Sequence, residues 1–234
     1  MPLLRYLPLL AALTLCLPVS AKPTPAQAKP TPAISAAKTP PPSKPLPKPQ
    51  PQVLVKTSLG SFVITLFPNK APKTVANFLT YVKSGFYAGT VFQRVINGFL
   101  IQGGQFTTAL VPKPTRPPIP IEANNGLSNL RGTVAAARAS GPNSETSQFF
   151  INLVDNPRLD FVNNQSGRTW GYAVFGKVVQ GMNIVDKIGK LPTNPQGPFS
   201  ADVPHPLPVI ESMSLLPTSQ ATAGKPAPTS TTHH

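Results

Sequence analysis

Three short segments of this sequence place a polar side chain on an otherwise apolar face, and these side chains are the first candidates for chemistry. In residues 91–96, the period-two alternation of a strand puts Arg94 on the same face as Phe92 and Ile96. A guanidinium in that position stays charged when it is partly desolvated and keeps several fixed donors. Such a cation stabilises electron density that develops nearby without making or breaking a covalent bond.

The other two segments each combine a glutamine with an apolar residue. Leu100 and Gln102 share one face of a predicted strand, and Gln148 and Phe150 share one face of another. Each residue alone also fits a simpler interpretation, in which the arginine stem lies on apolar surface and the glutamines are merely exposed. The three segments together favour a groove that binds a peptide.

Composition argues against most other enzyme chemistry. The 234 residues include only three histidines and one cysteine, Cys16. His205 lies between two prolines, and His233 and His234 end the chain, so a Ser/His/Asp triad is difficult to build. The sequence also has neither a glycine-rich phosphate loop nor carboxylates at metal-binding spacing. Hydrolases, dehydrogenases and kinases are therefore disfavoured, and we expect no cofactor and no metal.

The elements that would position the candidate residues are mainly strands. β-Branched and aromatic runs at residues 53–57 and 61–67 predict a hairpin. Further short strands are predicted at residues 91–96, 99–102, 132–136, 148–153 and 172–178.

Two helices interrupt these strands. The first is predicted from Pro72 to Gly85 and the second over residues 182–188. Their core-facing residues at helical spacing are Val75, Phe78, Leu79 and Val82 in the first helix and Met182, Val185 and Ile188 in the second. Many strands, two helices and no βαβ alternation indicate a mainly β protein whose antiparallel sheet closes on itself as a barrel.

Residues 1–21 have the features of a secretory signal peptide. Arg5 precedes an almost wholly apolar stretch, and Val19, Ser20 and Ala21 offer small residues for cleavage. A membrane anchor is the alternative, but the uncharged stretch contains two prolines and is shorter than a spanning helix requires. We therefore expect an exported protein, in the periplasm, outside the cell or in an internal lumen, that loses its only cysteine on cleavage.

The segments on either side of the predicted domain are biased in composition. Residues 22–52 contain 11 prolines and five lysines but no acidic residue, which predicts a disordered linker. Residues 218–234, rich in serine, threonine, alanine and proline, predict a disordered tail. Residues 53–217 are long enough for one well-buried domain.

The formal charge of +14 and the isoelectric point near 10.3 raise the question of a nucleic-acid partner. The charge distribution argues against one. Residues 53–217 combine 14 basic residues with seven acidic ones, and the linker lysines are not interleaved with aromatic residues that could stack on bases. The linker is either a solvated spacer or a segment in loose contact with anionic surfaces of the cell envelope.

Longer motifs resemble a known family. Residues 92–104 (FQRVINGFLIQGG), 147–152 (SQFFIN) and 174–178 (VFGKV) are similar to signature segments of the cyclophilins, a family of peptidyl-prolyl cis-trans isomerases. The resemblance extends from about residue 53 to residue 216 and is to the exported bacterial type. It implies a closed eight-stranded antiparallel barrel capped by two α-helices. It also implies an enzyme that accelerates rotation about X–Pro bonds and assists the folding of exported proteins.

The same resemblance implies roles for individual residues. Arg94 matches the catalytic arginine, and Gln102 matches a side chain that hydrogen-bonds the substrate backbone. Gln148 lies beside it, Arg138 falls where main-chain groups hold the peptide, and Tyr172 occupies the rim. The walls of the pocket for the proline ring match Phe99, Leu100, Phe150 and Leu159.

The sequence departs from the family pattern beside these positions. Gln93 replaces a histidine, Asn97 a proline and Leu100 a methionine, and we expect the chemistry to survive these changes. Arg158 stands where the family has tryptophan or phenylalanine at the edge of the pocket. This cation predicts weak binding of cyclosporin-type inhibitors and a preference for substrates with acidic residues near the proline.

Three hypotheses follow. The first is an isomerase whose partners are polypeptides that contain X–Pro bonds. The second is a non-catalytic module that holds proline-containing peptides on a basic stalk, and the intact Arg94 argues against it. In the third, the linker of the same chain occupies the groove and regulates it. We expect a monomer, since a closed barrel leaves no sheet edge for another copy to extend.

Overall fold

The computed structural model describes residues 50–217, so the predicted signal peptide, most of the predicted linker and the predicted tail lie outside the described residues. The fold begins with a hairpin of β1 (Gln52–Thr57) and β2 (Gly60–Leu66), which confirms the first prediction. β-Branched residues recur along both strands, and Gly60 adopts a φ of 130° where the chain enters β2. That conformation is open to glycine and strained for other residues.

Two α-helices and nine further strands follow the hairpin in residues 50–217. Helix α1 spans Pro72–Lys83 and helix α2 spans Met182–Gly189, and a 3₁₀ turn covers Pro157–Leu159. The strands are β3 (Thr90–Val91), β4 (Arg94–Ile96), β5 (Leu100–Gly103), β6 (Thr133–Ala136), β7 (Phe149–Asn152), β8 (Val174–Gln180), β9 (Thr193–Gln196), β10 (Phe199–Pro204) and β11 (Val209–Leu215).

Both predicted helices are confirmed to within two residues at each end. In α1, Val75, Phe78 and Val82 are buried as predicted, and Leu79 is partly buried against the core. In α2, Val185 and Ile188 are fully buried and Met182 is partly buried. The apolar stripes that the sequence shows at helical spacing are therefore the faces that pack on the sheet.

Nine strands form one antiparallel sheet in the order β3-β11-β1-β2-β8-β6-β7-β5-β4, and β9 and β10 form a separate two-stranded sheet. The predicted mainly β, antiparallel architecture with two helices is confirmed. The ladder is open between its end strands β3 and β4, which lie on one continuous stretch of chain, residues 90–96. The sheet is thus strongly curled and has nine strands, so the expected closed eight-stranded barrel is not confirmed.

The two faces of the sheet carry separate apolar clusters. The inner face forms the main core, in which Phe149 contacts Phe78, Tyr87 and Phe92 edge-on with ring centroids 5.7 to 5.9 Å apart. The outer face carries a smaller cluster, with its buried members Leu100, Ala135, Phe150 and Val174. Strands β5, β6, β7 and β8 therefore support an apolar surface outside the core as well as within it.

Two sequence-based expectations differ from the structure. Residues 91–96 are not one strand, because the ladder is interrupted at Phe92 and Gln93 between β3 and β4. Phe92 is consequently fully buried in the inner core. Of the three residues that alternation placed on one face, only Arg94 and Ile96 therefore share the outer face. Strands β9, β10 and β11 were not predicted, since the prolines of this region mask the strand pattern.

Neither helix in residues 50–217 combines the length and hydrophobicity that crossing a membrane would require.

Candidate active site

Strand register brings the candidate residues into one row across the outer face of the sheet. Arg94 of β4 is opposite Gln102 of β5, Gln102 is opposite Phe150 of β7, and Phe150 is opposite Ala135 of β6. Neighbouring strands lie about 4.8 Å apart, so Arg94 and Phe150 begin about 10 Å from each other. This distance suits a groove with a cation on one side and an aromatic wall on the other.

A groove of about 210 Å³ lies over this row. It contains the predicted catalytic arginine, all four predicted wall residues and three of the other predicted binding residues. Its lining consists of Arg94, Phe99, Leu100, Gln102, Ala137, Arg138, Phe150, Leu159 and Tyr172. The sequence therefore named eight of the nine lining residues, and it missed only Ala137.

The apolar end of the groove is rigid because its walls pack on one another. Phe150 is 2% exposed and meets Tyr172 edge-on, with ring centroids 5.4 Å apart. Phe99, Leu159 and Tyr172 are partly buried against the same outer cluster. A ring-sized apolar group that enters this end of the groove would meet preformed walls.

Buried asparagines hold two of the walls from behind. The Asn156 side-chain amide donates to the Phe99 carbonyl oxygen at 3.0 Å and to Asn152 at 2.8 Å. The Asn129 side-chain amide donates to the Leu159 carbonyl oxygen at 3.1 Å. Asn152 in turn donates to Asn129, which joins the two walls through one fully hydrogen-bonded network.

A chain of glutamine side chains fixes Gln102 at the polar side of the groove. Gln102 donates through Nε2 to Gln148 Oε1 at 3.0 Å, and Gln93 donates to the same oxygen at 2.7 Å. Gln148 donates through its own Nε2 to Gln105 at 2.7 Å. With its amide nitrogen engaged in this way, Gln102 keeps Oε1 to accept a hydrogen bond from a ligand N–H. Gln148 lies in the adjoining depression rather than in the groove itself.

Arg138 lines the groove, and its side chain is engaged in hydrogen bonds within the fold. Its guanidinium donates to the carbonyl oxygens of Gly171, Gly167 and Ala139 and lies 4.8 Å from the centre of the Tyr172 ring. Its own backbone N–H and C=O make no hydrogen bond within residues 50–217. The prediction that main-chain groups at this position hold a peptide is consistent with this geometry and stays a prediction.

Arg94 and Arg158 each make a contact at the groove that the sequence analysis did not predict. The Arg94 Nε–H donates to Asp202 Oδ2 at 3.4 Å, across 108 positions of sequence. The Arg158 guanidinium lies 4.4 Å from the centre of the Phe99 ring, as a cation stacked on the outside of a pocket wall. No local pattern signals the first contact, because β10, which carries Asp202, was itself not predicted.

A buried carboxyl group lies just behind the groove. Glu145 is 1% exposed, three residues before Gln148. Burial raises its pKa to about 8, and the nearby Glu122 charge adds to this effect while Arg138 opposes it. The nearby Thr74 hydroxyl donates its single hydrogen to Glu122, so neither Glu145 oxygen has a hydrogen-bond partner within residues 50–217. At pH 7 the protonated form of this carboxyl group therefore predominates.

Among the described residues, the groove lining contains no histidine, cysteine, aspartate or glutamate. Across residues 50–217, no three or more His, Cys, Asp or Glu side chains converge in a metal-binding arrangement. The groove instead offers the Arg94 guanidinium, the Gln102 amide and a pocket with apolar walls. Such a set binds and polarises a peptide bond without a nucleophile.

Comparison with known proteins decides the family. The family model described as "Cyclophilin type peptidyl-prolyl cis-trans isomerase/CLD" matches residues 52–214. The chain belongs to the cyclophilin family. The match runs from β1 into β11, so it includes every residue of the groove, and the family that the motifs resemble is confirmed.

Relatives of this cyclophilin include bacterial proteins that are named peptidyl-prolyl cis-trans isomerases. Peptidyl-prolyl cis-trans isomerase B of Escherichia coli is 51% identical over 163 residues, which cover 70% of this chain and 98% of that protein. Peptidyl-prolyl cis-trans isomerase A of Dickeya dadantii is 50% identical over 164 residues, which cover 70% of this chain and 84% of that protein.

Solved structures also resemble this cyclophilin. A crystal structure of a Cryptosporidium parvum cyclophilin type peptidyl-prolyl cis-trans isomerase, determined in the presence of the dipeptide Ala-Pro, has a TM-score of 0.59 at 27% identity. The similarity covers 71% of this chain and 99% of that one.

Proposed function

We propose that this cyclophilin is a peptidyl-prolyl cis-trans isomerase that accelerates rotation about X–Pro bonds. The observation that carries the proposal is that Arg94 and the apolar pocket of Phe99, Leu100, Phe150 and Leu159 line one groove. Two bacterial relatives that are about half identical to the chain are named peptidyl-prolyl cis-trans isomerases, which supports it.

The reaction is a rotation, and its barrier is electronic. Amide resonance sets a barrier of about 18–20 kcal/mol, which makes uncatalysed X–Pro isomerisation take about 10–100 s. As the bond twists, the prolyl nitrogen becomes pyramidal and its electron pair localises. A guanidinium donor aimed at that nitrogen stabilises the twisted form more than the planar one.

The groove supplies this arrangement in three parts. The outer-face pocket, with Phe150 at its base, holds the proline ring still and excludes water. Gln102 accepts a hydrogen bond from the peptide backbone through Oε1, and the Arg138 main chain fixes the residues that precede the proline. Arg94 then faces the prolyl nitrogen from the other side of the row. The carbonyl before the proline is the part left free to swing.

The partners that fit this groove are polypeptides with exposed X–Pro bonds. The related Cryptosporidium structure was determined in the presence of Ala-Pro, and the apolar end of the present groove is lined by Phe99, Leu100, Phe150 and Leu159. The signal-like residues 1–21 and the proline- and lysine-rich residues 22–52 favour a role in the folding of exported proteins, in the periplasm or outside the cell. The lysines of that linker are suited to loose contact with anionic envelope surfaces.

The test compares the full chain with Arg94→Ala in a cis-to-trans assay on a short X–Pro peptide. One charged donor aimed at developing charge contributes about 2.7–4 kcal/mol, so we expect kcat/KM to fall about 100- to 1000-fold. Arg131→Ala is the matched control, because Arg131 also forms an ion pair and is similarly exposed, at 46% against 44% for Arg94, but lies outside the groove.

Two outcomes would overturn the proposal. The first is a wild-type protein that does not accelerate isomerisation. The second is an Arg94→Ala variant as active as the Arg131→Ala control. Peptide binding without rate enhancement would favour the non-catalytic module instead. Removal of residues 22–52 tests regulation by the linker, which predicts a rise in activity.

A further inference from the structure

The contact between Arg94 and Asp202 engages only one edge of the guanidinium. Asp202 accepts from Nε–H at 3.4 Å, whereas the two terminal nitrogens of Arg94 make no hydrogen bond within residues 50–217. Both side chains are partly exposed, at 44% for Arg94 and 34% for Asp202. The ion pair therefore restrains the orientation of the Arg94 guanidinium, and its two terminal nitrogens stay available to a ligand in the groove.

Asp202 is itself held in place by a dedicated element. It lies on β10, at an irregularity in the pairing with β9, and its φ of 66° is in the left-handed region. The next residue, Val203, is 1% exposed in a third apolar cluster with Val91 and Leu110. Phe199, at the start of β10, packs edge-on against Phe106 at 5.0 Å between ring centroids. The β9–β10 hairpin is thus anchored on both sides of Asp202.

Position 202 requires a residue that tolerates a left-handed backbone conformation and that accepts a hydrogen bond from the Arg94 Nε–H, and aspartate meets both requirements. Aspartate and asparagine tolerate left-handed backbone better than other residues with a Cβ, because their short side chains hydrogen-bond locally. Aspartate adds a charged acceptor for Nε–H. An arginine side chain has many rotamers, and a partner at one edge removes part of that freedom before substrate arrives.

We infer that Asp202 is a positioning residue for the isomerase reaction: it holds Arg94 by Nε so that the terminal nitrogens point at the substrate. This inference rests on the proposed function, because it concerns the orientation of Arg94, on which the proposed isomerase activity depends. Asp202 is not among the residues that line the groove, whereas Arg94, which it contacts, is one of them. It should alter the rotation step more than peptide binding.

Two substitutions of Asp202 test which property of the residue matters. The first removes its charge but keeps a hydrogen-bond acceptor, and the second removes the side chain without straining the backbone. Asp202→Asn keeps a carbonyl oxygen for Nε–H and tolerates the left-handed φ. Asp202→Gly removes the side chain at a φ of 66° where glycine is unstrained. The matched control is Asp186→Ala, which removes the carboxylate of the other ion pair, at 2.8 Å from Arg131.

The kinetic readout is kcat and KM for one X–Pro peptide, measured on the full chain. Exposed ion pairs are worth up to about 1 kcal/mol, so Asp202→Gly should lower kcat about two- to fivefold with KM unchanged. Asp202→Asn should retain at least about half of the wild-type kcat, and Asp186→Ala should retain all of it. A wild type without activity overturns the proposed function, whereas an active wild type with unchanged Asp202→Gly kinetics overturns only the present inference.

A second readout does not depend on turnover. The Nε–H signal of Arg94 in an NMR spectrum, assigned by its loss in Arg94→Lys, should exchange more quickly with water in Asp202→Gly. The Arg131 signal should stay unchanged in the same variant. A rise in kcat in Asp202→Gly would mean that Asp202 restrains Arg94 from acting, and it would overturn the inference. So would an Arg94 signal that is identical in the two proteins.

Discussion

Replacing the buried Glu145 with glutamine should remove a pH dependence of stability. In the folded chain, burial raises the Glu145 pKa to about 8, from an ordinary value of 4.5 that the unfolded chain recovers. The folded state therefore keeps a proton that the unfolded state has already released between these two pH values. The contribution of Glu145 to the free energy of unfolding is therefore fully present below the lower pKa. It decreases as pH rises between the two pKa values and is lost above the higher one.

The magnitude follows from the size of the pKa shift. Each unit corresponds to about 1.4 kcal/mol, so the full shift corresponds to about 5 kcal/mol. Integration over the measurable range gives a loss of about 4 kcal/mol from about pH 5 to about pH 9 for this group. Glu145→Gln cannot ionise, and it should match the wild type near pH 5 and exceed its stability by about 4 kcal/mol near pH 9.

The assay is urea unfolding of the full chain at several pH values, with the free energy of unfolding compared between wild type and variant. The difference between the two proteins cancels the titration of groups that they share. Glu211→Gln, which changes an exposed glutamate on β11, is the matched control and should follow the wild type at every pH. Parallel curves for wild type and Glu145→Gln would refute the reasoning, because they would mean that Glu145 is ionised in the folded chain.

The remaining predictions concern the groove. Phe149→Leu and Phe150→Leu alter adjacent residues on opposite faces of β7, both nearly fully buried, and each should lower the free energy of unfolding by about 1 kcal/mol or more. Only Phe150→Leu should raise KM for an X–Pro peptide, and an equal rise in both variants would contradict the assignment of the two faces. Arg158→Gln removes an exposed cation from the outside of a pocket wall, so it should reduce kcat/KM about two- to fivefold for a Glu-Pro peptide relative to a Gln-Pro peptide. The effect should disappear at high salt, and a loss that is the same for both peptides would count against charge recognition.

Alternation along single strands predicted much of the groove. It paired Leu100 with Gln102, and the register that places Gln102 opposite Phe150 of the outer-face cluster agrees with this pair. It also paired Gln148 with Phe150, but Gln148 precedes β7 and lines the adjoining depression rather than the groove. The same reasoning misplaced Phe92, because one irregular position between β3 and β4 moves a side chain to the other face of the sheet. The alternation of residues along a sequence does not show where a strand is interrupted.

Contacts between distant segments could not be predicted in this way. Asp202 reaches Arg94 from a hairpin that contains several prolines, and the interaction depends on how β10 packs beside β4. The burial of Glu145 is equally invisible in sequence, since its neighbours Ser144 and Thr146 are polar. The motifs that carry the family resemblance named the groove, but the placement of the ionisable groups Glu145 and Asp202 depends on tertiary packing.

The groove lies on the outer face of a sheet whose inner face is the main core, and this position explains how a few polar groups are enough for the proposed rotation. A rotation leaves no new bond to stabilise, so the site needs fixed geometry more than reactive groups. The register of β4, β5 and β7 supplies that geometry, because the ladder hydrogen bonds set the spacing of Arg94, Gln102 and Phe150. The opposite face of the same strands is the main core, which makes the row stiff. The ladder does not orient the two long side chains of the row. Gln148 holds Gln102 by a hydrogen bond, and a separate hairpin contacts Arg94 through Asp202.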